Sequence, residues 1–174
     1  MIYIVLYDDK ENRFPKLSIE NENHSQRTLL YHGLATLSAI ILGILLSALL
    51  DFEITNYLLY YLFIILVSNT FIAIIEFLIV KFKDVGKFIA LILLVLQLAS
   101  SGGTFPIETV TKGFRFLNPI LPMTYTINLL KEVLVTIESS LLTKNLIVVI
   151  MILLVFFGIN IVSDIMHDKE NIKK

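Results

Sequence analysis

Cysteine is absent from this 174-residue chain, so neither a disulfide framework nor a thiolate metal site is open to it. Excess charge of one sign is missing too. A formal net charge of −1 gives no electrostatic reason to bind nucleic acid. No G-x-x-x-x-G-K-[ST] segment occurs, so the chain does not hydrolyse ATP through a phosphate-cradling loop of that kind. H-E-x-x-H and G-x-S-x-G are both lacking, and His24, His32 and His167 are scattered, which argues against a helical zinc site or a serine hydrolase. No catalytic residue, metal or cofactor is expected, and the chain is not expected to be an enzyme.

Charged residues are also scarce, at 17% against roughly a quarter in ordinary soluble domains. Their distribution matters more than their number. Residues 28–50, 88–104 and 145–163 contain no Asp, Glu, Lys or Arg, and 54–80 contains one, Glu76. With 56% hydrophobic residues and a mean hydropathy of +0.82, these gaps read as membrane spans, which need about 20 mostly apolar residues. The predicted fold is all-α: a polytopic transmembrane helical bundle of four spans, at 28–50, 54–80, 85–101 and 145–163. The third reaches full length only if Lys87 snorkels to the interface.

The apolar stretch 1–7 is too short to span and reads as a helix stub, the end of a helix whose beginning is missing. Residues 8–27 are polar, with Pro15 breaking any long helix. Residues 51–56 make an acidic turn, 81–87 a basic loop and 164–174 a polar tail. Lysine and arginine favour the cytoplasmic side. With both termini inside, ten of the fourteen are cytoplasmic, so a multi-pass protein of the cell membrane with both termini cytoplasmic is expected.

The connection 102–144 is the unusual part. Ser101-Gly102-Gly103-Thr104 ends the third span abruptly, since glycine permits positive φ. Pro106, Pro119 and Pro122 follow, with extended backbone expected at the residues before Pro106 and Pro119. Asn118 is expected to satisfy exposed backbone groups through its side chain. Met123, Ile127, Leu130, Leu134 and Ile137 fall on one helical face, and Thr124, Asn128, Lys131 and Glu132 on the other. This predicts a re-entrant or amphipathic helix at the outer interface.

Two polar intramembrane candidates stand out. Glu76, near Lys81 and Lys83, reads first as a carboxylate snorkelling to the inner interface and second as part of a polar path. Gln97, with Asn69 and Asn160, reads first as a helix–helix hydrogen-bonding group. Ser100 and Ser101 read as part of a turn rather than as nucleophiles.

The run 91–134 carries Leu96-Gln97-Leu98, Ser101-Gly102-Gly103-Thr104, Phe105-Pro106-Ile107-Glu108, Asn118-Pro119, Leu121-Pro122 and Met123-Thr124-Tyr125. This ordered set resembles the C-terminal membrane domain of the phage infection protein (YhgE/Pip) family, and the resemblance extends over nearly the whole chain. It implies kinship with the membrane permease subunits of type-2 ABC transporters. Family members usually carry one N-terminal span, a large extracellular region and about five further spans. The chain therefore looks like a C-terminal fragment or a shortened member. The implied function is transport or export of a substrate, alongside a separate ATPase. Because four spans alone leave polar groups such as Gln97 and Asn69 without certain partners, a homodimer or association with a longer homologue is expected. The alternative is a non-transporting envelope scaffold or phage-receptor component.

Overall fold

The computed structural model describes residues 24–49, 54, 56–103, 111–134 and 139–172, with side chains for these except 24–27, 139–140 and 164–172. The expected helix stub 1–7, nearly all of the polar segment 8–27, most of the acidic turn, Thr104 and Pro106 lie outside them. The described residues are helical throughout, apart from short connections. They form α1 (His24–Leu49), α2 (Tyr57–Ser100), α3 (Lys112–Leu117), a 3₁₀ turn (Asn118–Ile120), α4 (Pro122–Leu134) and α5 (Ser139–Ile172).

α1, α2 and α5 are long and apolar enough to cross a membrane. They are apolar on nearly every side, a pattern that belongs to a buried or membrane helix. On α1, Leu29 is 74% exposed, and Leu37, Ile41, Leu42 and Leu45 each leave about half of their surface uncovered. Water would penalise so large an apolar surface; lipid does not.

α2 has 44 residues. Straight, it would run ~66 Å, twice the thickness of a hydrocarbon core. It is not straight. Lys83 has φ 52 and ψ −124 inside the helix, a region that side chains rarely occupy. A Cβ at Gly86 would overlap the Leu78 carbonyl, although a straight helix would hold those residues ~12 Å apart. The chain therefore folds back at Lys83, and glycine at 86 lets the two arms touch backbone to backbone. The expected seven-residue loop 81–87 is corrected to a break at one residue, because the helices resume at once on either side.

The first arm (57–82) packs antiparallel to α1. Gly43 lies beside Tyr61, Ala35 beside Ser68 and Thr28 beside Glu76. It runs parallel to α5: Leu146 packs on the Tyr60 and Phe63 cluster, and Phe156 meets Phe77 edge-on. α4 closes one end, placing Leu129 and Val133 against Tyr60 and Phe63. α1 and α5 are longer than the expected spans at 28–50 and 145–163, starting at His24 and Ser139, and α5 continues to Ile172 through the expected polar tail.

The amphipathic helix is present over Pro122–Leu134, with Ile137 outside the described residues. Leu130 and Leu134 of the expected apolar face pack on the core, but Thr124, expected on the polar face, is buried. Thr124, Thr126, Leu129 and Val133 are buried, while Met123 and Ile127 are half-buried and Asn128 and Lys131 exposed. The threonines tolerate burial because their hydroxyls donate to backbone, Thr124 Oγ1 to Asn118 O at 2.6 Å and Thr126 Oγ1 to Met123 O at 2.9 Å. Asn118 is helical rather than extended before Pro119, with φ −49 and ψ −51. It opens a 3₁₀ turn whose second residue is that proline, and proline fits early helical positions. Extended geometry appears instead at Leu121, before Pro122.

Candidate functional site

Where α1, the first arm of α2 and α5 meet, the bundle carries a polar seam. Glu76 is only 3% exposed. Thr28 Oγ1 donates to its Oε1 at 2.7 Å. Asn160 Nδ2, from α5, donates to Oε2 at 3.3 Å and to Ala73 O at 3.0 Å. His32 Nε2 lies 3.7 Å from Oε2, its ring edge-on to Phe157 with centroids 5.0 Å apart. Glu76 is therefore turned inward between three helices, while Lys81 and Lys83 are exposed. The snorkelling expectation is corrected, since inward the carboxylate finds hydrogen-bond donors that a lipid-facing position would lack.

The seam continues along α1 for about two turns, ~12 Å. Asn69 Nδ2 donates to Thr36 Oγ1 at 3.0 Å and to Ile65 O at 2.8 Å. Thr36 Oγ1 donates to His32 O at 2.8 Å. Ser68 Oγ donates to Ala35 O at 3.0 Å. Asn69 Oδ1 faces His32 Nδ1 at 2.7 Å. Flipping the Asn69 amide would set its oxygen against the Ile65 carbonyl, acceptor against acceptor. His32 Nδ1 is therefore the donor to Asn69. Asn69 and Asn160 both bond across helices, as expected of polar groups in spans.

The second arm (84–100) ends in a different kind of polar region. Gln97, Ser100 and Ser101 are buried, at 2%, 0% and 4% exposure, yet Gln97 Nε2, Ser100 Oγ and Ser101 Oγ have no hydrogen-bond partner. The backbone around them is well secured. Gly102 takes φ 73, as the turn expectation required. Asn118 Nδ2 donates to Ser100 O at 2.7 Å, satisfying a carbonyl that the helix end leaves open. Tyr125 Oη donates to Pro119 O at 2.7 Å. Gly103 lies under Ile127. Beside this turn is a cleft of about 440 Å³, lined by Asn118, Tyr125, Lys131, Glu132 and Lys144 among others.

The match to a family model covers residues 6–161 and is to the EsaA helical domain. The chain belongs to the EsaA helical-domain family. It is also 49% identical over 69 residues to the uncharacterized protein YhgE of Bacillus subtilis (strain 168). That stretch is 40% of this chain and 9% of the relative. The YhgE/Pip resemblance is thereby borne out, and the chain spans a small part of that relative's length. No solved structure matches. For this EsaA-type domain, apolar helices and family together indicate a membrane protein.

Of the residues singled out from sequence, the structure gathers Ser101, Gly102, Gly103, Asn118, Pro119, Pro122 and Tyr125 around one turn, with Gln97 one helical turn below Ser101. Glu76 stands apart from them. His32, Thr28, Thr36 and Ser68 were missed as site residues. A signal was available: each is a polar residue in or at the edge of an otherwise apolar span, and Thr28, His32 and Thr36 recur every four residues, on one helical face.

Proposed function

We propose that the chain is a membrane subunit of type-2 ABC permease architecture that moves a substrate outward across a bacterial cell membrane, with energy from a separate ATPase. One observation carries the proposal, the carboxylate–imidazole–amide seam inside the helix bundle. Ionisable groups at membrane depth are costly and typically mark pathways for ions or substrates. A non-transporting scaffold or phage-receptor component, the alternative, needs only helices that pack. In this reading the chain crosses four times, at 28–50, 54–80, 85–101 and 145–163, with both termini cytoplasmic. The reversal at Lys83 supports it by dividing α2 into two arms. α4 lies at the outer interface. The domain assembles with a second copy or a longer homologue, and carries no catalytic chemistry of its own.

Two experiments test this. Single cysteines are introduced at positions 84 and 112 of the cysteine-free chain. An impermeant thiol reagent on intact cells labels 112 and spares 84; the reverse refutes the topology. Separately, tagged chain is purified from host membranes in mild detergent. The transport reading requires an ATP-hydrolysing partner whose turnover falls in Glu76→Gln. Purification without ATPase activity, and with hydrolysis in the membranes indifferent to deletion of the chain, favours the scaffold.

A further inference from the structure

We propose that His32 and Glu76 form an intramembrane proton-binding site that holds a single proton between them when α1, α2 and α5 are packed. The inference stands on the geometry of the bundle alone. A chain that binds the proton but moves no substrate would leave it intact.

The hydrogen-bond directions count the protons. Asn69 is held by its two donations, to Thr36 Oγ1 and Ile65 O, so its oxygen accepts from His32 Nδ1. With the Nδ1 proton fixed, His32 has one site left, Nε2. That atom is buried without a hydrogen-bond partner and lies 3.7 Å from Glu76 Oε2, just beyond hydrogen-bond range. With no proton on the pair, a nitrogen lone pair faces a carboxylate oxygen in a low-dielectric interior, which is repulsive. With two, an imidazolium faces a neutral acid and loses its counter-charge. With one, the contact is attractive in either form. In the first, Glu76 keeps its O–H bond and points it at Nε2. In the second, that bond breaks, an N–H bond forms on Nε2, and the pair becomes carboxylate and imidazolium. The pair's total charge is zero in both forms, which suits a site inside a membrane.

Thr28 Oγ1 and Asn160 Nδ2 donate to Glu76 whichever form is present, so they hold the carboxyl group without fixing where the proton sits. Other titratable groups with described side chains on the packed helices are Tyr31 on α1, Tyr57, Tyr60 and Tyr61 at the start of α2, Lys81, Lys83, Asp84 and Lys87 beyond Glu76 on α2, and Lys144 at the far end of α5. His24 and Arg27 on α1, and Asp164, His167, Asp168, Lys169 and Glu170 on α5, have side chains outside the described set. Among the described residues no three His, Asp or Glu side chains gather for a metal, and the hydrogen-bond directions call for nothing beyond one proton. Gaining or losing one charges the seam, and the charge is relieved by letting α1 part from α2 and α5 to admit water.

The test uses the full chain in bacterial phospholipid vesicles. ¹⁵N NMR is recorded in a His24→Asn, His167→Asn background that leaves His32 as the sole histidine. Nδ1 is expected to be protonated throughout; a ring protonated on Nε2 with bare Nδ1 overturns the proposal. pH-difference infrared spectra are expected to show a carboxyl band and an imidazole band changing together over one pH interval. Both are expected to vanish in Glu76→Gln and in His32→Gln. A carboxyl band that keeps its pH interval in His32→Gln, or two bands that change independently, overturns the site. If a substituted chain fails to insert, the NMR arm, which leaves the pair intact, still decides.

Discussion

The two polar regions of this bundle are built by opposite rules. Around Glu76, three helices far apart in sequence contribute hydroxyl, imidazole and amide groups that bond one another, with His32 Nε2 left facing the carboxylate beyond hydrogen-bond reach. Around Ser101 one continuous stretch turns on itself. It bonds its backbone well and leaves Gln97 Nε2, Ser100 Oγ and Ser101 Oγ bare. A polar group whose partners are built in loses stability when cut. A buried polar group without partners already bears its desolvation cost, so removing it loses nothing. Burial alone therefore says little about what a polar side chain contributes to folding; its partners decide.

Substitutions separate the two regions. Glu76→Ala strips Thr28 and Asn160 of their shared acceptor and His32 of its facing carboxylate, and a loss of about 3–5 kcal/mol is expected, as when one partner of a buried charged set is deleted. It is read as a collapse in monodisperse protein and in the thermal midpoint in detergent. Retention of the unsubstituted midpoint would mean that the seam is not cohesive. Gly102→Val forces a branched side chain into φ 73 and is expected to cost about 1–3 kcal/mol, seen as reduced membrane-inserted protein; full expression would show that the turn relaxes. Asn118→Ala frees the Ser100 carbonyl and is expected to cost roughly 1 kcal/mol, a modest fall in the same midpoint. Gln97→Leu and Ser100→Ala come last. They are expected to leave stability within about 0.5 kcal/mol or to raise it, because a partnerless amide nitrogen or hydroxyl is removed. A large loss in either would show that the bare atoms are satisfied after all.

The same contrast explains what could be read from the sequence. The apolar helices were legible because charge vanishes for twenty residues at a time. The glycine turn was legible because positive φ at Gly102 is a local demand that glycine announces. Asn118 was legible as a side chain that satisfies backbone, but its partner, the distant Ser100 carbonyl, was not. Glu76 was misplaced because the chain shows its neighbours in sequence, Lys81 and Lys83, and hides those in space. Nothing in the spacing of residues 28–36 says that they will lie against 69–76. Thr124 on α4 was misplaced because periodicity counts threonine as polar, whereas Thr124 and Thr126 turn their hydroxyls onto nearby carbonyls and bury like small apolar residues.

The reversal at Lys83 has a consequence for how the chain is made. A loop of ten residues would give a nascent helix slack, letting one arm settle in lipid while its successor still emerges. Here the join is a single residue, and Gly86 sits against Leu78 with no space between. On the four-crossing reading, the first arm cannot reach its final depth while the second remains behind. The two arms must enter the bilayer as one body, their facing surfaces already matched, and an error in either delays both.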